Sequence, residues 1–313
     1  MVAKFSLLAF MFYHIYTALA TRQTDLKTLW QLLVNALNSL RAPQNFILVL
    51  FCVLFAPLNW AFESLKWQTL AQRVEPISFS KAYQGVLAGL AIGFVLPNHV
   101  GDAAGRVMSL RHDHRYESIG AALLSNALQL FVSVFGGFLA LVWLMSIDRR
   151  LATPATFAAA SILAVALIFG VLLIWKKHES LLFLKQFGWF NKIKKFVQVI
   201  GNYHVGEIIK ALGYAFLRYF TFSFQFYFLL IVFNVQLPFH TAIACIMLVF
   251  LGKTLIPAFN FLSDLGVREF TSIYVFGFFN CPPTAIVLVT LSLWIINLLL
   301  PSLVGVLAFW KLK

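Results

Sequence analysis

Residues 82–106 read AYQGVLAGLAIGFVLPNHVGDAAGR. The arm from about Ala82 to Leu96 is apolar and rich in glycine. It is too short for a comfortable membrane span, which takes about 20 apolar residues. It stops at Pro97-Asn98-His99-Val100-Gly101-Asp102, and a polar helix containing Arg106 returns from Asp102 to Leu110. A short apolar arm, a Pro/Gly break and a polar return together read as a re-entrant helical hairpin. Non-helical backbone at membrane depth is tolerated only inside protein or around a wet cavity.

Composition supports a membrane setting. Apolar residues make up 61% of the 313 and charged residues only 11%, with a mean hydropathy of +0.86. A soluble domain carries about 25% charged residues. Lipid is therefore the solvent, and lipid admits only helices or closed barrels. The apolar runs are long and do not alternate, which is the helical signal. The net charge of +13 fits basic cytoplasmic loops and attraction to anionic headgroups. The basic residues are scattered and no nucleic-acid motif appears, which excludes that partner. Cys52, Cys245 and Cys281 lie in or beside apolar runs without metal spacing and read as core residues. His112 and His114 flank Asp113 without a second ligand cluster. No metal or other cofactor is expected, and no Walker signature marks an ATP site.

Outward from the hairpin, residues 5–20 read as a retained first span, although Ala18-Leu19-Ala20 resembles a signal-peptide cleavage site. Leu26–Leu40 is an amphipathic interfacial helix. A second span covers about Phe46–Phe62, and Glu63, Lys66 and Arg73 are expected at the membrane interface beyond it. Long runs follow at about 118–146 and 153–175, then a basic amphipathic stretch, Leu181–Ile200. A span at about 208–233 carries Arg218, which either faces a cavity or pairs with a distant acid. A second interrupted segment, about 239–262, breaks at Pro257 and returns from Asp264 to about Phe279. A last span covers about 284–310. The expected fold is an all-α polytopic integral membrane protein of one transmembrane domain, residues 1–313. It has about six full spans plus two re-entrant hairpins. The basic stretch 176–195 is assigned to the cytoplasm, which places both termini inside and brings the hairpins in from opposite faces.

The two breaks match. Asn98-x-x-Gly101-Asp102-x-x-x-Arg106 is answered by Asn260-x-x-Ser263-Asp264-x-x-x-Arg268, at an offset of 162 residues, with Pro97 and Pro257 preceding them. Each half runs amphipathic helix, span, broken hairpin, long span. This pattern reads as an inverted internal repeat, about 22–146 and 181–310, the architecture of alternating access.

Charge inside a membrane is costly. Here it stands twice, at matched breaks. Asp102 and Arg106 are four apart and share a helix face, as do Asp264 and Arg268; intrahelical neutralisation is one reading of them. A substrate site is the other. Arginine binds phosphate through a planar fork, and helix starts add anion affinity. The candidate substrate-binding residues are therefore Asn98, Asp102, Arg106, Lys253, Asn260, Asp264, Arg268 and Glu269. Arg106 and Arg268 would hold phosphate, while Asp102, Asp264 and Glu269 would receive an amine. His99 is a weak candidate for acid–base chemistry, and no catalytic residue is assigned.

Leu96–Arg106, Pro257 through Gly266-Val267-Arg268-Glu269, and Lys66-Trp67 resemble the signatures of the flippase-like membrane family, the lysylphosphatidylglycerol synthase transmembrane region. The resemblance implies translocation of a phospholipid or polyprenyl-linked lipid between leaflets. Multidomain relatives add a soluble domain that transfers lysine from charged tRNA. This chain is expected to lack that domain and its synthase activity, so an aminoacylated lipid would come from a lipid-modifying enzyme partner. The expected role is a lipid flippase of the bacterial inner membrane with membrane lipids as its partners. The alternatives are a secondary transporter of a small soluble anion, an enzyme acting on a lipid headgroup, or a non-transporting partner subunit.

Overall fold

A computed structural model describes residues 17, 26–39, 41–95, 100–110, 115–176, 201–256 and 266–312. Among these residues all regular structure is helical. The helices are α1 (Leu26–Ser39), α2 (Pro43–Ala71), α3 (Phe79–Val95), α4 (Val100–Met108), α5 (Arg115–Ile147), α6 (Pro154–Trp175), α7 (Val205–Val232), α8 (Phe239–Leu255), α9 (Val267–Gly277), α10 (Pro283–Trp294) and α11 (Leu300–Leu312). Among the described residues, five helical stretches are long and apolar enough to cross a membrane: Pro43–Ala71, Glu117–Ile147, Pro154–Trp175, Val205–Val232 and Pro283–Ala308. The expected span at 5–20, the amphipathic stretch Leu181–Ile200 and the His112–His114 cluster lie outside the described residues.

The boundaries follow local chemistry. Thr153 caps α6 by accepting from the Thr156 backbone N–H at 3.3 Å, and Pro154 fills the first turn, where no N–H is needed. Asp148 accepts from the Arg150 side chain and backbone, which holds its carboxyl below the usual range and turns the chain between α5 and α6.

α2 corrects the expected second span. It does not end near Phe62 but runs on to Ala71. One face carries Phe46, Ile47, Leu50, Phe51, Leu54 and Leu58, all exposed to the lipid side. The opposite face buries Cys52, Ala56, Asn59, Glu63, Lys66 and Leu70, spaced three or four apart as a helix requires. Lipid thus meets apolar carbon while polar groups point inward. α6 shows the other limit: it is apolar all round, with only Ala160 and Leu163 buried, as suits a peripheral helix in lipid.

α2 and α7 form the central antiparallel pair. Gln225 Nε2 donates to Cys52 O at 2.7 Å near one end, next to the ladder interruption at Pro57. At the other end Arg73 Nε donates to Glu207 at 2.7 Å, and Tyr203 Oη donates to Leu70 O at 2.7 Å. The second of these satisfies a terminal helix carbonyl. On one side of this pair, an apolar core gathers residues of α2, α3, α5 and α11. On the other, α7, α8, α9 and α10 enclose a second core rich in phenylalanine.

α3 and α4 pack antiparallel through small residues. Gly85, Gly89 and Gly93 face Ser109, Gly105 and Gly101. A Cβ at Gly89 would lie 2.7 Å from Asp102 O, and one at Gly105 would run into the Gly89 backbone. Small residues every fourth position let two helices meet backbone to backbone. Residues 96–99, the expected break, lie outside the described residues. The flanking helices α3 and α4 nevertheless pack closely against each other.

Candidate functional site

α4 is short, and its close approach to α3 holds Arg106 against α2 and α5. Arg106 Nε donates to Asp102 Oδ1 at 3.0 Å, and Arg106 Nη2 lies 3.0 Å from Asp102 Oδ2, which is the expected pairing within one helix face. The rest of the guanidinium is also engaged. Nη1 donates to Ser125 Oγ at 2.8 Å, and Nη2 donates to Glu63 Oε1 at 2.7 Å. The Trp67 ring lies 5.8 Å from Arg106 Cζ. Trp67 Nε1 is held by Ser109 Oγ at 3.3 Å, and Ser109 in turn donates to Arg106 O.

Glu63 is the hub. Its second oxygen, Oε2, lies 2.8 Å from Lys66 Nζ and 3.2 Å from Arg218 Nη1. Gln129 Oε1 accepts from both cations, at 3.4 Å from Lys66 and 3.3 Å from Arg218. Among the described residues, three cations therefore face two carboxylates, a positive excess of one. Glu63, Lys66 and Arg106 are buried, while the side chains of Arg218 and Asp102 keep 23% and 26% exposure. The excess charge surfaces at Arg218.

A π-turn supports that arginine. Residues Ile295–Leu299 link α10 to α11 in π geometry. Pro301 has no N–H to offer the Asn297 carbonyl one turn earlier. Trp60 Nε1 donates to that carbonyl at 2.8 Å, and Asn59 Nδ2 donates to Asn297 Oδ1 at 3.4 Å. The fixed Trp60 ring then lies 5.2 Å from Arg218 Cζ.

The expectation for Glu63 and Lys66 is thus overturned: they lie buried in the network, not at the interface. Counting charge along the chain ends a span at Glu63. Counting by helical face puts Glu63 and Lys66 on the buried side with Cys52, Ala56 and Asn59. Arg73 does remain at the rim. Arg218 takes the second of its two expected options, pairing with a distant acid.

In the second half of the chain, Arg268 and Glu269 occupy the first turn of α9 and are buried. Gly266 starts that turn at φ 96°, a conformation natural to glycine. Glu269 Oε2 accepts from the Gly266 N–H at 2.6 Å. Arg268 makes no hydrogen bond to the Glu63 network, so the structure does not join the two arginines directly. Lys253 sits half-buried in the last turn of α8. Asn98, Asn260, Asp264 and His99 lie outside the described residues. Among the described residues no group of three or more His, Cys, Asp or Glu could hold a metal ion.

The family model of the lysylphosphatidylglycerol synthase transmembrane region matches residues 4–305. The chain belongs to that family. The lysylphosphatidylglycerol synthase transmembrane region is a membrane domain linked to lipid function, and this member is a multi-pass membrane protein. The match is to the membrane region of the family. No curated protein and no solved structure matches the chain.

Proposed function

We propose that this protein is a flippase that moves a phosphate-bearing lipid, anionic or polyprenyl-linked, between leaflets of the bacterial inner membrane. One observation carries the reading: among the described residues, a buried network inside apolar helices holds one more cation than acid, and the surplus surfaces at Arg218. Charge kept inside a membrane protein marks a substrate path. A lipid phosphate is the natural counter-charge, because its tails remain in the bilayer while its headgroup crosses among polar side chains.

Division of labour follows from the hydrogen bonds. Arg106, engaged by Asp102, Glu63 and Ser125, positions the network. Arg218, braced on Trp60, meets the headgroup. The two hairpins, one in each half of an inverted repeat, enter partway from opposite faces and bound the cavity in which this occurs. With no ATP site in the sequence, movement is passive or driven by a gradient.

The test is leaflet exchange of a fluorescent anionic phospholipid in proteoliposomes. Wild-type protein is expected to speed exchange over protein-free vesicles. Arg218→Gln is expected to slow it about tenfold or more, the scale of one charge-assisted hydrogen bond. Exchange no faster than in empty vesicles, or radiolabelled anion uptake without lipid exchange, would overturn the reading.

A further inference from the structure

The first turn of α9 holds a second set of buried polar atoms, separate from the Glu63 network. Among the described residues, no group hydrogen-bonds to Arg268 Nε, Nη1 or Nη2, to Glu269 Oε1, or to Ser272 Oγ. Arg268 is 0% exposed, and Glu269 and Ser272 are buried with it. Arg268 and Glu269 are adjacent in sequence, yet they are not hydrogen-bonded to each other. Ser272 lies four residues after Arg268 and three after Glu269, so all three belong to one side of the helix start. The positive end of the helix dipole lies there as well.

Burying an unpaired guanidinium is among the most costly arrangements in a protein. A chain that needed only packing would place an apolar side chain at position 268. The donors and acceptors also specify a ligand. Arg268 offers paired N–H groups that suit the two free oxygens of a phosphodiester. Ser272 Oγ–H adds a donor to the same group. Glu269 can only accept, and its other oxygen is already held by Gly266 at 2.6 Å. Oε1 therefore needs a donor from the ligand. A phosphodiester carries no proton at neutral pH, so the donor must come from the substituent beyond the phosphate.

We propose that Arg268, Glu269 and Ser272 form a headgroup subsite for a phosphodiester lipid whose headgroup bears an N–H or O–H donor. An ethanolamine or glycerol headgroup meets the requirement. A choline headgroup has neither donor and is rejected. The inference rests on the lipid-carrying reading and deepens it by naming the class of headgroup. The subsite is closed to solvent here, so the headgroup enters when α9 parts from its neighbours α8 and α10.

Binding is tested on the purified full chain, without transport. Delipidated protein is offered short-chain phosphatidylethanolamine, phosphatidylglycerol, phosphatidylcholine or inorganic phosphate, and bound ligand is read by native mass spectrometry and thermal shift. Wild type is expected to favour the ethanolamine and glycerol lipids over choline by about tenfold or more, the scale of a charge-assisted hydrogen bond. Glu269→Gln is expected to cut that preference to about threefold or less. Arg268→Met is expected to lose the headgroup preference while its lipid-free unfolding midpoint stays level or rises, because a buried charge with no hydrogen-bond partner among the described residues is gone. A merely structural arginine would instead lower the midpoint.

Equal binding of choline lipid by wild type overturns the proposal. So does retained selectivity in Arg268→Met, or inorganic phosphate displacing the lipids at equal concentration, which would make the ligand a free ion. Should Arg268→Met fail to fold, Glu269→Gln and the wild-type headgroup series still decide. Selective binding without leaflet exchange would leave the subsite standing and remove the transport reading; exchange without headgroup preference would do the reverse.

Discussion

Arg106 and Arg268 occupy the same place in two copies of one sequence pattern, four residues after an Asp and eight after an Asn. Around Arg106 every guanidinium nitrogen is engaged, by Asp102, Ser125 and Glu63, and an indole covers its face. Around Arg268, equally buried, no described group hydrogen-bonds to any of the three. Among the described residues, the shared motif thus meets two different surroundings. The first arginine is a post that ties α4 to α2 and α5 and, through Glu63, to Lys66 and Arg218. The second, on a single helix start, has no hydrogen-bond partner among the described residues.

The sharpest way to break this contrast is to neutralise the acid in each half. Glu63→Gln leaves Lys66, Arg106 and Arg218 facing Asp102 alone, and Asp102 touches only Arg106 among them. Removing one partner from a buried ion network costs about 3–5 kcal/mol. A loss of that size is expected in chemical unfolding of detergent-solubilised protein. Glu269→Gln keeps an oxygen for the Gly266 N–H and removes no ion pair among the described residues, so its cost is expected to stay within about 1 kcal/mol. Equal losses from the two variants would show that the halves are electrostatically alike after all.

A second pair of variants compares the α3–α4 contact with the α8–α9 contact. Gly105→Ala drives a Cβ into the Gly89 backbone, where nothing rotates away. Overpacking of this kind costs about 1–3 kcal/mol. At Gly252 the added Cβ meets a single side chain, Thr271, with Cγ2 at 2.8 Å and Cβ at 3.4 Å, and a small shift of that side chain relieves it. Gly252→Ala is therefore expected to cost less than about 1 kcal/mol. Thermal unfolding followed by circular dichroism would rank the two, and the reverse order would mean that the α3–α4 contact is looser than its glycines imply.

These contrasts also mark what could be read in advance. The helical, lipid-solvated character of the chain follows from its scarcity of charge, and most apolar runs end within a few residues of the observed helices. The Asp102–Arg106 pair follows from four-residue spacing. Glu63 and Lys66 were misplaced because a hydropathy window averages around the helix, whereas burial depends on which side a residue faces. The spacing from Cys52 and Ala56 to Asn59 and Glu63 carried that signal. The Gly85-Gly89-Gly93 and Gly101-Gly105-Ser109 stripes carried another, visible as composition but not read as an interface. No local signal joins Glu63 to Arg106 across 43 residues or Trp60 to the Asn297 carbonyl. Those bonds exist only once α2 has packed against α4 and the π-turn. The same limit hides the contrast between Arg106 and Arg268, whose local sequences are nearly equivalent.

A third comparison concerns single hydroxyl or indole groups. Trp60→Phe deletes the donor to Asn297 O, a carbonyl that Pro301 already deprives of its helical partner. A cost of about 0.5–1.5 kcal/mol is expected from the hydrogen bond, along with slower lipid exchange as Arg218 loses its brace. Tyr219, in the second core, has no hydrogen-bond partner for its hydroxyl among the described residues. Tyr219→Phe is thus expected to leave the unfolding midpoint unchanged or slightly higher. A larger loss from Tyr219→Phe than from Trp60→Phe would contradict the contrast between a satisfied indole N–H and an unsatisfied hydroxyl.

The smallest effect isolates environment from geometry. Arg73 and Glu207 approach to 2.7 Å, the same separation as Arg106 and Glu63. The rim pair, however, is open to water, with side chains 36% and 29% exposed. Water screens its attraction, and either partner can be rehydrated when the other is removed. Arg73→Gln is therefore expected to cost no more than about 1 kcal/mol, and the difference from wild type should shrink further as salt rises. The loss from Glu63→Gln, made where neither water nor ions reach, should hold nearly constant over the same salt series. If both variants respond to salt alike, the Glu63 network is wetter than its burial indicates, and the argument that its surplus charge awaits a lipid phosphate loses its footing.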